Sequence, residues 1–220
     1  MLVSTRGIVL SHIRYKETSI IAKIFTEQYG LLSFVVNSVY KTKPQFAPAY
    51  FLPLTEHTLI IYYMQGRDIN RVKELTLLQH IADSSIYKAA LSMLIAEILG
   101  QSLVVGYTHA RLYNYLHNTL TNLQYSQNRN IHLPILLQLL KVLGYEPGYE
   151  QLASIHNTDY DHQTLTCLQA LLTLSKDSNI EDINIPNIYS KQILDMIMSF
   201  FEHHIPDFSA IKSINILREI

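Results

Sequence analysis

The sequence predicts an α+β chain, with a small closed barrel of five β-strands over residues 1–80 and an all-α helical domain over residues 81–220. Three observations predict it. Up to about residue 78 apolar residues recur with period two, and β-branched and aromatic side chains dominate, which is the signature of strands. Past residue 80 the period changes to 3.6. Charge divides at the same place: residues 1–80 hold nine Lys/Arg against five Asp/Glu and residues 81–220 eight against thirteen, so the parts carry +4 and −5 although the whole chain is −1. Asymmetry of that kind gives the two parts different partners and makes the basic part the candidate for a polyanion.

The first strand spans Ile8 to Tyr15, with Ile8, Leu10 and His12 on one face. Ser19 to Glu27 follows, placing Ile20, Ala22 and Ile24 opposite Ile21, Lys23 and Phe25. A tight turn at Tyr29 and Gly30 leads into Leu31 to Tyr40, and the stretch 41–48 (KTKPQFAP) then breaks the alternation as a mobile loop. Leu54 to Met64 and Ile69 to Leu78 form the last pair, joined by Gln65, Gly66, Arg67 and Asp68 in a hairpin turn. Five short antiparallel strands suit a closed barrel, since closure removes the edges that a flat sheet would expose.

The helical part opens at Asp83-Ser84-Ser85, which can cap a helix whose apolar positions Tyr87, Leu91, Leu94 and Ile98 share a face; Gly100 or Gly106 can end it. Further helices are predicted at His109 to Gln124, His132 to Leu143, Thr164 to Leu174, Pro186 to His204 and Ser209 to Arg218. Residues 144–148 and 157–161 read as loops.

With 48% hydrophobic residues the chain can bury a substantial core, which excludes a disordered protein. The one cysteine, Cys167, excludes an intramolecular disulfide and a thiolate zinc site; it suits a reducing cytosol and reads as a small core residue. No signal-peptide pattern opens the chain, and the longest charge-free run, 112–128, is too rich in Asn, Gln, Thr and Tyr to lie in hydrocarbon. The expectation is a cytoplasmic, nucleoid-associated protein with no membrane partner.

Catalytic signatures are absent: there is no G-x-x-x-x-G-K, G-x-G-x-x-G, G-x-S-x-G or H-E-x-x-H. His156, Asp159, Asp161 and His162 offer metal-type ligands within seven residues, and Glu202, His203 and His204 sit near a helix end. Neither set has a characteristic spacing, and the plainer readings are a solvated loop and a favourable helix-dipole contact. Neither a cofactor nor a metal is expected. Basic residues of the first part say more: Arg14, Lys16 and Lys23 lie on the first hairpin, Lys41 and Lys43 in the Pro-containing loop, and Arg67, Arg71 and Lys73 on the last strand or its turn. Tyr15, Tyr29, Tyr40, Tyr62 and Tyr63 are interleaved with them. Cations for a phosphate backbone and aromatic faces for bases are the means of holding single-stranded nucleic acid without sequence readout. A solvated surface with half-buried strand tyrosines fits the same pattern, and periodicity alone leaves both open.

Residues Thr5 to Tyr40 resemble the opening of the RecO family of bacterial recombination mediators, through R-Y-K-E-T-S at Arg14 to Ser19, F-T-E-Q-Y-G at Phe25 to Gly30, and the basic pair Lys41 and Lys43 after the third strand. L-L-K-V-L-G-Y-E-P at Leu139 to Pro147 is similar to the family's L-L-x-x-L-G-Y-x-P, and I-K-S-I-N-I-L-R-E at Ile211 to Glu219 resembles its closing helix. The resemblance implies an N-terminal OB-fold and an α-helical protein-interaction domain. It also implies a non-enzymatic role in DNA repair and homologous recombination: binding single-stranded DNA, annealing complementary strands and, with RecR, helping RecA load. The DNA-binding candidates are then Arg14, Tyr15, Lys16, Lys23, Tyr40, Lys41, Lys43, Arg67, Arg71 and Lys73.

The acidic C-terminal tail of single-strand DNA-binding protein would dock on the helical domain. The candidate groove for it is the stripe Ile193, Met196, Ile197 and Phe200 with Lys191 nearby, for which core packing is the plainer reading. Two departures matter. A four-cysteine zinc site common after L-G-Y-x-P has only Cys167 to draw on here, and Ser38 stands where the family usually has glycine. Two rivals remain: an OB-fold adaptor binding only proteins, and a metal-dependent enzyme built on His156, Asp159 and His162.

Overall fold

A computed structural model describes residues 1–82, 85–156, 159–174 and 183–219; Asp83 and Ser84 of the expected cap, and Asn157 and Thr158 of the expected loop, lie outside the described residues. The strands are β1 (Leu2–Tyr15), β2 (Ser19–Thr26), β3 (Gly30–Val36), β4 (Glu56–Tyr62) and β5 (Ile69–Gln79), with a short 3-10 turn at Pro48–Phe51 before β4. They hydrogen-bond in the order β1-β2-β3-β5-β4 and close into a barrel, the OB-fold.

The expectation that all five strands are antiparallel needs one correction. Strands β3 and β5 run parallel, through Ser33 with Ile69, Phe34 with Asn70 and Val35 with Arg71. A closed ring of five cannot alternate direction all the way round, so one pair has to be parallel. Strand β1 also begins earlier than expected: residues 2–8 pair with β4, residues 7–15 pair with β2, and a register shift between Val9 and Ser11 lets one strand serve both partners.

Alternation puts Ile20, Ala22 and Ile24 of β2 inside the barrel with Val9, Leu32, Phe34, Val36, Leu59 and Ile61. Burying each such side chain contributes about 1.5–3 kcal/mol. Glycine is required at two places. A Cβ on Gly7 would lie 2.7 Å from side-chain carbons of both Ile24 and Leu59, and Gly30, with φ +68°, would place one 2.3 Å from the Tyr107 carbonyl oxygen.

The helices are α1 (Ile86–Ser102), α2 (Ala110–Tyr125), α3 (His132–Val142), α4 (Tyr149–Ser154), α5 (His162–Thr173), α6 (Asn187–His204) and α7 (Ile214–Glu219). Helix α4 was not expected, and α7 starts later than the sequence indicated. None of the described helices is long and apolar enough to cross a membrane. Contacts divide the chain into two compact units, Met1–Gln124 with Ile211–Leu217, and Tyr125–Ala210 with Arg218–Ile220. The change from strands to helices near residue 80 and the division into units therefore fall at different places. In the first unit α1 packs on β1, and the Glu97 carboxylate accepts from the Lys212 and Ser213 amides and the Ser213 hydroxyl at 2.9, 3.3 and 3.1 Å, capping α7. In the second, α6 packs against α3, α4 and α5. Cys167 is half-buried rather than a core residue.

Ser38 has φ +62°, the left-handed conformation that favours glycine. That conformation costs a serine about 1–2 kcal/mol. Ser38→Gly should raise the stability measured by denaturant unfolding by up to about 1 kcal/mol, glycine's larger unfolded-state entropy taking back the rest.

His132 is buried in the second unit, its Nδ1–H donating to the Arg129 carbonyl at 3.2 Å. Burial pushes its pKa from 6.5 down to about 4. As pH falls through that window the unfolded chain takes up a proton that the folded chain does not, so stability is lost there, by up to about 3 kcal/mol. Denaturant unfolding at neutral pH and near pH 4.5 should show wild type losing more stability than His132→Gln; equal losses would remove His132 as the cause.

Candidate nucleic-acid interface

All ten DNA-binding candidates of the first unit are exposed, but they are not equally gathered. Four meet at one place. The β1–β2 turn places Arg14 where its guanidinium lies 5.0 Å from the Tyr40 ring centroid and donates to the Glu17 carbonyl at 3.1 Å, while Lys16 lies 5.3 Å from the Tyr15 ring. The Tyr40 amide donates to the Thr18 carbonyl at 3.1 Å, tying the segment after β3 to the same turn. Tyr15 and Tyr40 keep 39% and 40% of their surface, enough to receive a stacked partner.

Lys41 and Lys43 follow in the loop expected to be mobile. Val39, Phe46 and Phe51 around it are buried in the barrel core, and two histidines hold its far end. His12 Nδ1–H donates to the Phe51 carbonyl at 2.8 Å, and His57 Nε2–H to the Tyr50 carbonyl at 2.7 Å. Burial lowers the His57 pKa. The two lysines therefore project from an anchored loop, which reduces the entropy lost on binding.

Lys23 lies in mid-β2 opposite Ser11 and Ser33, and Arg71 lies opposite Val35 and Tyr62. Arg67 is in the β4–β5 turn, apart from the Arg14 group in the chain's register. Lys73 is partly spent, its ammonium 3.2 Å from the Glu74 carboxylate. Among the described residues, no carboxylate lies within ion-pair distance of Arg14, Lys16, Lys23, Lys41, Lys43, Arg67 or Arg71. Arg6 marks the contrast: Glu27 holds it through two bonds at 2.6 and 2.9 Å, and the guanidinium in turn lowers the Glu27 pKa.

Burial and contact separate the alternatives at three places. Tyr29 and Tyr63 pack on each other at 4.3 Å and against the barrel core, so they are not available to bases. Ile193, Met196, Ile197 and Phe200 are 0–2% exposed. That stripe is core of the second unit, and with Lys191 beside it only half-buried it forms no open groove. Finally, the histidine-rich segment is used separately: His156 Nε2 meets Ser199 Oγ at 2.9 Å, Asp161 caps α5 by accepting from the Gln163 amide, and Thr166 donates to the His162 carbonyl. His203 and His204 donate to the carbonyls of Ser199 and Phe200 in the last turn of α6. Among the described residues no three His, Cys, Asp or Glu side chains converge to hold a metal ion.

Some exposed side chains on the barrel escaped the sequence reading, chiefly Ile13 and Ile69 at 64% and 37%. No periodicity could reveal them, because each looks like an ordinary strand residue.

Two family models match consecutive stretches of the chain, Recombination protein O N terminal over residues 1–81 and Recombination protein O C terminal over residues 83–164. Curated proteins named DNA repair protein RecO align along its whole length: that of Flavobacterium psychrophilum is 26% identical over 242 residues, covering 100% of this chain and 99% of the relative. The namesakes of Flavobacterium johnsoniae, 26% identical, and Bacteroides fragilis, 25% identical, cover the same shares. With the barrel, the helical region behind it and the quoted motifs in one order, the chain belongs to the RecO family, whose named members are DNA repair proteins.

Proposed function

We propose that this chain serves DNA repair and homologous recombination by binding single-stranded DNA on its barrel and annealing complementary strands, acting as a mediator rather than an enzyme. The observation that carries this reading is the set of cations without carboxylate partners, with Arg14 stacked on an exposed Tyr40 and Lys16 beside an exposed Tyr15. Phosphates displace counterions from such cations, and neutralising the repulsion between two strands lowers the barrier to pairing without any bond being made or broken. RecA loading with RecR, and reception of the acidic tail of single-strand DNA-binding protein on the helical part at a surface other than the buried α6 stripe, complete the proposal. The acidic balance of residues 81–220 leaves that part to protein partners rather than to DNA.

Binding of labelled single-stranded DNA over a salt series tests the reading. Affinity should fall steeply and linearly in log K against log salt, alike for all base sequences. Replacing Lys41 and Lys43 together by Ala should weaken binding by about tenfold at low salt, since each lysine that neutralises a phosphate supplies part of the counterion release. A flat salt slope would remove the electrostatic model.

Annealing should proceed with a chelator present and without nucleotide. Ala at His156, Asp159 and His162 should leave its rate unchanged, because His156 is engaged with Ser199 and no three His, Cys, Asp or Glu side chains among the described residues converge on a metal position. A fluorescence-quenching assay in which chelation, or that folded triple variant, stops annealing would revive the metal-dependent alternative.

A further inference from the structure

We propose that the C-terminal segment carrying α7 is exchangeable between two copies of the chain, each copy's α7 taking the seat on the other's α1 to form a reciprocal dimer. The connectivity permits it. The first unit is Met1–Gln124 completed by Ile211–Leu217, and the chain that links these two stretches belongs to the second unit. The seat therefore has no covalent means, within its own unit, of telling its own copy's segment from that of another.

The contacts are specific enough to be remade. Ile211, Ile214 and Leu217 are buried, and the Glu97 carboxylate in α1 takes the Lys212 and Ser213 amides and the Ser213 hydroxyl. Charge-assisted bonds of this kind are strong, whereas a helix of six residues does not hold its shape outside the seat. An empty seat and a released segment thus each need the other, whichever copy supplies it. The link between α6 and α7 favours release. Ile205 to Phe208 form a tight turn, closed by the Phe208 amide donating to the Ile205 carbonyl at 3.3 Å, with Pro206 and Asp207 at its centre. Asp207 has φ +56°, the left-handed region that favours glycine at this position of a turn. Opening the turn relieves that conformation, and Pro206 and Asp207 are exposed, so straightening them uncovers no core side chain. Contacts beyond the turn, Phe208 on Phe201 and Arg218 with Asp195 among them, are remade with the other copy. Short strained links of this sort favour exchange, because the relief comes twice per dimer while the contacts stay the same. The dimer carries two basic barrels and holds two strands in one complex, a consequence that rests on the single-stranded DNA reading above.

The test refolds the full chain over a range of concentrations and measures its mass by light scattering after size-exclusion chromatography. Wild type should give a monomer and a dimer, with the dimer growing as the refolding concentration rises. Asp207→Gly, which touches no contact of the segment, should lower the dimer yield by about fivefold, since glycine removes the strain that opening relieves. Glu97→Lys spoils the seat and Ile214→Asp spoils the segment. Each alone should stay monomeric, and an equimolar mixture should give a dimer with one copy of each, because the first offers a sound segment to the second's sound seat. Circular dichroism confirms the fold of each variant, and Asp207→Gly decides the matter if a seat variant does not fold. A wild type monomeric up to its solubility limit, a single variant that dimerises as readily as wild type, or an Asp207→Gly yield equal to that of wild type overturns the exchange. Failure of monomer and dimer alike to bind an oligothymidylate removes the DNA reading and the two-strand consequence, and leaves the exchange standing.

Discussion

One buried carboxylate decides which half of the barrel is covered. Glu56, at the start of β4, is 0% exposed and points outward from the barrel onto α2. Isolated, such a charge would cost several kcal/mol. Three donors offset it: the Tyr113 hydroxyl at 2.8 Å, the Gln79 amide at 2.6 Å and His117 Nδ1–H at 2.8 Å. Burial and the neighbouring carboxylate push the Tyr113 pKa up, so the phenol remains a donor. Two of the three donors belong to α2, and the ion therefore fixes where that helix lies along the barrel. Phe25 is covered there by the Tyr113 ring while α1 packs on β1, and the face of Tyr62, Arg71 and Ile13 is left to solvent.

Strand β1 carries two arginines with different fates, and the register shift explains the difference. Arg6 precedes the shift and faces outward beside α2, where Glu27 pairs with it and its guanidinium lies 5.3 Å from the Tyr113 ring. Beyond Val9 the parity changes. Ile13 shares its odd number with the buried Val9, yet it pairs with Ile21 on the outward side, while His12 pairs with Ala22 on the inward side and reaches the Phe51 carbonyl. Arg14 then leaves the barrel at its end, over Tyr40, with no carboxylate to neutralise it. A single inserted residue thus turns an isoleucine out to solvent, anchors the lysine loop through a histidine and leaves an arginine with no carboxylate partner.

What the sequence made legible follows from what periodicity encodes. Alternation identified the inward side of β2 correctly, because Ile20, Ala22 and Ile24 are uninterrupted by any shift. It grouped His12 with Ile8 and Leu10, since a bulge leaves no mark in residue types. On α6, the 3.6 period located an apolar stripe but not what covers it; α3, α4 and α5 do. Exposure of the cations was legible from their charge, whereas the separation of Tyr15 and Tyr40 from Tyr29 and Tyr63 depends on which rings find each other across strands.

The first unit is also built from both ends of the chain, which constrains how it can form. Helix α7 has six residues, too few to persist alone, so its presence requires the partners that Glu97 and the buried Ile211, Ile214 and Leu217 supply. Those partners run the other way as well: without residues 211–217, the Glu97 carboxylate would lose three donors, and apolar surface that they cover would meet water. The hairpin pairs β1–β2, β2–β3 and β4–β5 are local in sequence, whereas closing the barrel needs β1 with β4 and β3 with β5, and the unit that carries them is complete only when residues 211–217 have returned to it, so its stability includes contacts of long sequence separation.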